Sequence, residues 1–231
     1  MKSEEIIKKY KDLGIDVEKD LSLNIVAHED DKTGNFIYSS YVEAQTKANI
    51  EKITSGGPKE SRLILLSGYI KKHIPNLKFG ICHGTRNGQE QKKLKEQLGI
   101  TVLGTEISHT AKQFSNTIQW DFHEVKEEWL GNVSFIFSNS LDHSYDPIHC
   151  LSQWMKCISP NGKIFLQRED DEMSEYRVYK RKYPDADLFH ATEKAFSKIV
   201  AAAGNGNWII KKPDKLKFNE NKRIIVLERK R

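Results

Sequence analysis

The chain has 231 residues, and 37 basic against 32 acidic side chains give it a formal net charge of only +5. Its three cysteines, Cys82, Cys150 and Cys157, form no CxxC pair and are odd in number, and no apolar run approaches the roughly 18 residues that span a bilayer. These features exclude a disulfide framework and a membrane-spanning helix, and they predict one α/β core in a reducing, cytoplasmic compartment.

Residues 1–75 are predicted to form a helical extension that packs on the following domain or acts as a lid over it. Ser40 and Glu43 have capping-box spacing ahead of a first helix. The Ser-Gly-Gly-Pro cluster at residues 55–58 ends that helix, and a second helix with one apolar face continues to Pro75.

From residue 77 onward, strand-like and helix-like patterns alternate, which is typical of a parallel sheet covered by helices on both faces. Strands are predicted near residues 77–83, 100–105, 117–121, 132–138 and 162–167. Helices are predicted near residues 88–98, 107–114, 124–130, 147–158 and 191–203. Two final β-type runs, at 208–210 and 223–227, predict an antiparallel hairpin. The sequence therefore predicts an α/β, Rossmann-like fold with a mostly parallel seven-stranded sheet, in a domain covering residues 76–231.

A glycine-bearing turn follows the first strand of this predicted sheet. It consists of residues 83–88, His-Gly-Thr-Arg-Asn-Gly, and it precedes a helical pattern and a second apolar run that ends on Glu106, 22 residues after Gly84. Rossmann-type folds use a strand, a glycine turn, a helix and such an acid to hold an adenosine-containing cofactor. The sequence therefore predicts a cofactor-dependent enzyme.

The order and spacing of these segments resemble the class I S-adenosylmethionine-dependent methyltransferases over residues 77–231. Residues 79–88, FGICHGTRNG, are similar to the first motif of that family, although its GxGxG is reduced to Gly84 and Gly88. Glu106 corresponds to the ribose-binding acid of the family, and Asp121 to an acid that meets the adenine amine. Residues 138–147 correspond to the loop beside cofactor and substrate. The most similar subfamily is the small-molecule group called type 11.

This resemblance implies S-adenosyl-L-methionine as the cofactor and a set of residues that bind it. The set is His83, Gly84, Thr85, Arg86, Gly88, Glu106, Asp121, Phe122 and Asn139. Arg86 and the start of the following helix would face the methionine carboxylate, Asn139 the methionine moiety, and Phe122 the adenine ring. Structural explanations also exist: turn glycines, a solvated Arg86, Glu106 as a helix cap, and Asp121 as a strand-end turn residue.

Methyl transfer is a direct displacement at a sulfonium carbon, so alignment of the reacting groups supplies most of the catalysis. A base is needed only for a hydroxyl or similarly weak acid, and His143 is the first candidate for it and Asp142 the second. Tyr145, Tyr176 and Arg177 are expected to face a small-molecule acceptor. Loop shaping and a plain amphipathic surface helix explain the same residues equally well.

Two other functions remain open from the sequence. Tyr176 and Lys180 have the Tyr-x-x-x-Lys spacing of short-chain NAD(P)-dependent dehydrogenases, but the turn lacks their third glycine. Basic residues at 177–182 and 211–231 fit a non-catalytic nucleic-acid-binding module, or simply solvated surfaces. No metal site is predicted, because His149 and Cys150 point about 100° apart on a helix. The methyl acceptor and the oligomeric state are not specified by the sequence.

Overall fold

The computed structural model describes residues 2–179, 187–219 and 221–230, and the elements below belong to that part of the chain. The α-helices are α1 (Ser3–Asp12), α2 (Tyr38–Glu51), α3 (Glu60–His73), α4 (Gln89–Leu98), α5 (Pro147–Cys157), α6 (Asp171–Tyr179) and α7 (Glu193–Ala203). The strands are β1 (Leu21–Leu23), β2 (Phe79–His83), β3 (Thr101–Glu106), β4 (Thr117–Gln119), β5 (Val133–Ser138), β6 (Ile158–Glu169), β7 (Phe189–Ala191), β8 (Trp208–Lys211) and β9 (Lys222–Arg229).

Seven strands form one mixed sheet in the order β4-β3-β2-β5-β6-β9-β8. The first five strands in this order run parallel to one another. Strand β9 pairs antiparallel with both β6 and β8, which forms the hairpin at the end of the chain. The predicted α/β class, with its mostly parallel seven-stranded sheet and antiparallel hairpin, is therefore confirmed.

The register of the central strands brings their carboxyl ends to one edge of the sheet. His83 of β2 lies opposite Thr105 of β3 on one side and Ser138 of β5 on the other. The chain therefore leaves the sheet at Gly84, just after β2, and at Glu106, the last residue of β3, at neighbouring positions. The strand order also reverses at β2, and open α/β sheets bind their ligands in the crevice at such a reversal.

Two apolar clusters form the core, one on each face of the sheet. Alternate residues of a strand enter opposite clusters, so Ile164 and Leu166 of β6 join one and Phe165 joins the other. Helices α1, α5 and α7 cover the first face, and α3 and α4 cover the second. The predicted apolar face of α3 is confirmed, because its leucine and isoleucine side chains at 63, 66 and 70 are fully buried.

Helix α5 forms where the sequence predicts it and holds the segment after β4 in place. The carboxylate of Asp146 accepts a hydrogen bond from His149 N at 3.1 Å and caps the helix, with Pro147 in its first turn. Trp154 is fully buried, and its Nε1 donates a hydrogen bond to Phe122 O at 2.7 Å. The helix ends at Cys157 and β6 begins at once, so residues 159–162 form an irregularity within β6.

Two predicted helices are wrong. The segment predicted as a helix at 107–114 contains only the 3-10 turn His109–Gln113, and the one predicted at 124–130 contains only the 3-10 turn Glu127–Trp129. They lie in the short connections at 107–116, between β3 and β4, and at 120–132, between β4 and β5. Because an α-helix has a costly nucleus, a segment this short gains too few hydrogen bonds to form one without strong packing.

The helical N-terminal extension predicted for residues 1–75 is confirmed by α1, α2 and α3, and it also contains the short strand β1, which was not predicted. Strand β1 pairs antiparallel with β7, and this joins the segment to the chain just ahead of α7. Ser40 is not a helix cap, because α2 begins at Tyr38; its Oγ instead lies 3.0 Å from His28 Nδ1. The α1 side chains Ile6 and Tyr10 are buried in the first apolar cluster. The division at residue 75 and the lid role stay predictions.

All three cysteines are unpaired and buried. Within the described residues, the helices are too short or too polar to cross a lipid bilayer.

Candidate functional site

The turn after β2 packs tightly against the end of β3. The backbone N–H groups of Gly84 and Thr85 donate to Thr105 O at 2.9 and 3.1 Å. Gly84, Arg86 and Gly88 all have left-handed backbone conformations, with φ of +70°, +44° and +76°. Gly88 immediately precedes α4, so the unpaired N–H groups at the start of that helix lie beside the turn.

Arg86 adopts this conformation at a cost that glycine would avoid. A left-handed conformation is unfavourable by roughly 1–2 kcal/mol for a residue with a Cβ. The backbone N–H of Arg86 donates to Glu106 Oε2 at 3.0 Å, and this charge-assisted hydrogen bond offsets part of the strain. The turn therefore keeps its shape without the full glycine pattern of the first motif.

Gly84 allows a close approach between the turn and the loop after β5. A Cβ on this residue would lie 2.6 Å from Ser140 Cβ. Ser140 Oγ also donates to Gly84 O at 3.0 Å. The space beside Gly84 is therefore occupied by Ser140, and the missing side chain serves the contact between two loops that border the cleft.

Glu106 connects the turn to the segment after β3. Its Oε2 accepts from Arg86 N and its Oε1 accepts from Ser108 N, both at 3.0 Å. Burial raises the pKa of Glu106 above its ordinary value, although these two hydrogen bonds act in the opposite direction. Each carboxylate oxygen can accept a second hydrogen bond, so Glu106 retains acceptor capacity toward the cleft that it lines.

Asp121 is held in a fixed orientation by three hydrogen bonds. Its Oδ1 accepts from His123 N at 2.9 Å and lies 2.7 Å from His123 Nδ1, and its Oδ2 accepts from Tyr38 Oη at 2.8 Å. Burial raises the pKa of Asp121, but the hydrogen bonds and the charge of His123 outweigh it, and the pKa is lowered overall. Of the four acceptor positions on the carboxylate, one on Oδ2 remains for a ligand.

The bonds around His123 have the order of a hydrolase triad, because His123 Nε2 lies 2.8 Å from Ser144 Oγ. His123 and Ser144 are both fully buried, and the ring of Tyr145 stacks on His123 at 3.8 Å. A nucleophile needs access to its substrate, so this arrangement orients Asp121 and does not form a hydrolytic site.

Helix α2 closes the cleft from above, and sequence reasoning missed its contribution. Tyr41, Gln45, Asn49 and Lys52 line the cleft together with Gly84, Arg86, Glu106, Asp121, Phe122, Ser140 and His143. Including its open mouth, the cleft has a volume of about 560 Å³. The positions 41, 45, 49 and 52 recur at helical spacing, which is the signal that could have identified this face of α2.

Polar contacts hold α2 and the following loop over the cleft. Tyr41 Oη donates to His143 O at 3.2 Å, and Thr110 Oγ1 donates to Asn49 Oδ1 at 2.9 Å. Asn87 Nδ2 donates to two backbone carbonyls of the loop between α2 and α3, at 3.1 and 3.3 Å. The roof of the cleft is therefore attached to the turn after β2 and to the loops after β3 and β5.

His83 points into the core, which corrects its predicted side-chain role in cofactor binding. It is 2% exposed, its ring stacks on Trp154 at 4.7 Å, and its Nδ1 lies 2.8 Å from Thr105 Oγ1. Burial lowers the pKa of His83 to about 3, so the imidazole is neutral. Thr85 is also buried, and its Oγ1 has no hydrogen-bond partner among the described residues.

A second cavity, of about 680 Å³ with its mouth, opens beyond the ends of β5 and β6. It is lined by Asn139, Leu141, Asp142, Gln167, Arg168, Glu169, Ser174, Asp187, Phe189, His190, Ala191 and Lys222. Arg168 donates to Ala191 O at 3.0 Å and lies over the ring of Phe196. Burial lowers the pKa of Arg168 to about 10, so its guanidinium stays charged at neutral pH. The cavity thus combines two basic side chains, Arg168 and Lys222, with the carboxylates of Asp142, Glu169 and Asp187 and the imidazole of His190.

The predicted catalytic and acceptor residues fall into three places. His143 lines the first cleft and Asp142 the second cavity, so the pair lies between the two. Tyr145 belongs to an aromatic group beneath α2, with its ring 5.0 Å from that of Tyr41. Tyr176 is 49% exposed on α6, and Arg177 Nε pairs with Glu169 Oε1 at 3.2 Å. Tyr176 and Arg177 do not line either cavity. Lys180, which has the Tyr-x-x-x-Lys spacing to Tyr176, lies outside the described residues, as does the remainder of the basic run at 177–182.

No protein-family model and no curated protein sequence matches the chain significantly. Several solved structures are similar to it. One is the plantazolicin methyltransferase BpumL in complex with SAH, with a TM-score of 0.59 and 15% identity over 98% of this chain and 99% of that one. Another is the 1,6-didemethyltoxoflavin-N1-methyltransferase of Burkholderia thailandensis with S-adenosylhomocysteine. Its TM-score is 0.57 and its sequence identity is 11%, over 83% of this chain and 89% of that one. A third is the mitomycin 7-O-methyltransferase MmcR, with a TM-score of 0.60 and 11% identity over 84% of this chain and 60% of that one. The chain therefore has the fold of the class I S-adenosylmethionine-dependent methyltransferases.

Proposed function

We propose that this protein is an S-adenosylmethionine-dependent methyltransferase that acts on a small-molecule acceptor. The observation that carries the proposal is the convergence of Gly84, Glu106 and Asp121 on one cleft at the strand reversal of a methyltransferase fold. Two of the similar structures contain S-adenosylhomocysteine, the product that remains after the methyl group has left.

The cleft residues fit the chemistry of an adenosyl ligand. Glu106 would accept hydrogen bonds from the two ribose hydroxyls, and the remaining acceptor position of Asp121 suits one amino hydrogen of adenine. Phe122 would pack against the ring, and Arg86 and the start of α4 would face a carboxylate. Thr85 Oγ1, which has no partner in the described structure, supplies a further polar group at the turn. When bound, S-adenosylmethionine supplies a methyl group activated by a positively charged sulfur.

Entry of such a ligand requires α2 to move. Its contacts from Tyr38 to Asp121, from Tyr41 to His143 and from Asn49 to Thr110 close the cleft in this structure. We infer that the N-terminal segment acts as a lid in this way, and that the same polar groups exchange partners when the lid opens. A closed lid would then exclude water from the reacting groups.

His143, and after it Asp142, would accept a proton if the methyl acceptor is a hydroxyl or another weak acid. Both side chains lie at the boundary between the cleft and the second cavity, which we assign to the acceptor. The second cavity lies at the ends of β5 and β6, beside the cleft, so a molecule there would present its acceptor atom toward the donor. Asn139 lines this cavity and would contact the acceptor or the adjacent part of the donor.

The basic C-terminal residues support this proposal over a nucleic-acid-binding module. Lys212 pairs with Asp171 and Glu193, each at 2.9 Å. Lys217 and Arg223 both pair with Asp170, at 3.1 and 3.0 Å. Basic side chains that already have acidic partners contribute less to phosphate binding, so this surface is a weak candidate for a nucleic-acid interface.

Calorimetric titration with S-adenosylhomocysteine tests the proposal. We expect binding in the micromolar range, and we expect Glu106→Gln to weaken it by about 1.5 kcal/mol because a charged acceptor is lost. Glu127 is an exposed carboxylate outside the cleft, so Glu127→Gln is the matched control and should bind as the unmodified protein does. Tight binding of NADPH, or equal affinity of the Glu106 and Glu127 variants for S-adenosylhomocysteine, would overturn the assignment.

A further inference from the structure

Two carboxylates and two imidazoles lie together between the cleft and the second cavity. Asp142 and His143 belong to the turn after β5, and Asp187 and His190 come from the chain at and before β7. His143 Nε2 lies 4.0 Å from Asp142 Oδ1 and 3.8 Å from Asp187 Oδ1, and His190 Nε2 lies 3.9 Å from Asp187 Oδ2. Asp142, His143 and Asp187 each offer one atom that could bind a metal ion, and these three atoms lie within 4.8 Å of one another.

These distances are too long for hydrogen bonds between the groups, and they match the spacing of ligand atoms around one cation more closely. Two carboxylates that converge in this way repel each other unless a positive charge lies between them. The two segments are held there by the fold, since β7 pairs with β1 and the turn follows a central strand.

A separate observation on Asp142 points to a missing partner. The side chain is 37% exposed as a whole, yet its Oδ1 is buried and has no hydrogen-bond partner among the described residues. This is the oxygen that faces His143. A buried carboxylate oxygen without a donor is costly, and a bound cation would satisfy it.

We propose that Asp142, His143 and Asp187 bind one divalent cation of the first transition row, with His190 beside Asp187. Imidazole ligands favour ions such as Zn²⁺ and Mn²⁺ over Mg²⁺ and Ca²⁺, which prefer oxygen atoms alone. Asp142, Asp187 and His190 line the second cavity, so an unfilled coordination position of the cation would face it. A molecule with a hydroxyl or carboxylate oxygen could bind the cation there.

The cation site goes beyond the proposed methyl transfer and does not depend on it, because cation binding is measured without donor or acceptor. A histidine that binds a cation cannot also accept a proton from an acceptor molecule. Cation binding would therefore restrict the proton-acceptor role of His143 to the cation-free protein.

The test is calorimetric titration of the tag-free 231-residue chain with ZnCl₂, MnCl₂ and MgCl₂ after removal of bound ions with a chelator. We expect one equivalent of Zn²⁺ or Mn²⁺ to bind in the micromolar range and Mg²⁺ to bind at least about 10-fold more weakly. Asp142→Ala and Asp187→Ala should each weaken binding by about 100-fold, because each removes a ligand. His109 is exposed and distant in sequence from the cluster, so His109→Ala is the control and should leave binding unchanged.

A second readout guards against variants that fail to fold. The melting temperature of the unmodified protein should rise when Zn²⁺ or Mn²⁺ is added, and circular dichroism at a fixed temperature should show that both aspartate variants fold. Removal of one of two repelling carboxylates should not itself destabilise the protein. Absence of saturable Zn²⁺ and Mn²⁺ binding by the unmodified protein would overturn the proposal, and so would unchanged binding by both aspartate variants. Loss of S-adenosylhomocysteine binding would instead affect only the methyltransferase assignment.

Discussion

Glu90 is a buried carboxyl in the first turn of α4, next to the turn that borders the cleft. It is 3% exposed, and its Oε2 has no hydrogen-bond partner among the described residues. Burial raises the pKa of Glu90 from 4.5 to about 7, with a further increase from the charge of Glu106 and an opposing effect from Arg86. Glu90→Gln keeps the shape of the side chain and removes its ionisation.

The effect of this substitution depends on pH in a defined direction. Between pH 4.5 and about 7 the folded protein retains a proton on Glu90 that the unfolded chain has released, so the free energy of unfolding falls as the pH rises through this window. Each pKa unit corresponds to about 1.36 kcal/mol, which gives a total loss of about 3 kcal/mol once the pH exceeds 7. At pH 4.5 the carboxyl of the unfolded chain is half protonated and the loss is below about 0.5 kcal/mol, and at lower pH, where both states are protonated, the loss disappears.

Urea unfolding at pH 4.5 and at pH 8 measures this effect. We expect Glu90→Gln to be about 3 kcal/mol more stable than the unmodified protein at pH 8, and equally stable within about 1 kcal/mol at pH 4.5. Glu96 lies on the same helix with a side chain that is 49% exposed and paired with Lys93, so Glu96→Gln should change stability by less than about 1 kcal/mol at either pH. If Glu90→Gln gives no stabilisation at pH 8, Glu90 is not held in an ionisation-disfavouring environment and the reasoning fails.

Three further substitutions test the borders of the cleft. Gly84→Ala should destabilise the protein by about 3 kcal/mol in urea unfolding, because its Cβ would lie 2.6 Å from Ser140 Cβ at a φ of +70°; a loss below 1 kcal/mol would show that the loops readily separate. Asn87→Ala should speed proteolysis of the loop between α2 and α3, since two hydrogen bonds to that loop are lost, and an unchanged rate would contradict the attachment. Tyr38→Phe should remove about 1 kcal/mol of stability through its lost bond to Asp121, and an equally stable variant would show that this bond contributes nothing.

The sequence was most informative where structure depends on local patterns. The apolar runs that became β2, β3 and β5 and the capped helix α5 are set by residues close together in the chain, and all four were predicted. The place of Glu106 at the end of β3 follows from the same pattern, because the run that predicts the strand, residues 100–105, stops just before it. Those features therefore located the edge of the sheet at which the cleft lies.

Side-chain direction at the end of β2 was not predictable in the same way. Strand β2 is buried on both faces, so its last four residues show no alternation between apolar and polar side chains. Nothing local then indicates whether His83 faces the cleft or the core. Its direction depends on Trp154, which lies 71 positions away on α5 and offers a flat ring for stacking. The pairing of β1 with β7 was missed for a similar reason, because three-residue strands carry almost no pattern.

The roof of the cleft shows why part of the site was beyond sequence reasoning. Tyr38 contacts Asp121, which lies 83 positions further along the chain, and Tyr41 contacts His143, which lies 102 positions further. The polar face of α2 could equally face solvent, so the sequence of the helix does not predict these contacts. Together with the bond from Thr110 to Asn49, these contacts are three hydrogen bonds worth about 1 kcal/mol each. Opening the roof would then cost about 3 kcal/mol, and where the three bonds do not re-form over the ligand this cost lowers its apparent affinity about 100-fold relative to a permanently open cleft. A ligand bound in the micromolar range gains about 8 kcal/mol net of that cost, so the attachment is strong enough to keep the empty cleft closed and weak enough to be opened by binding.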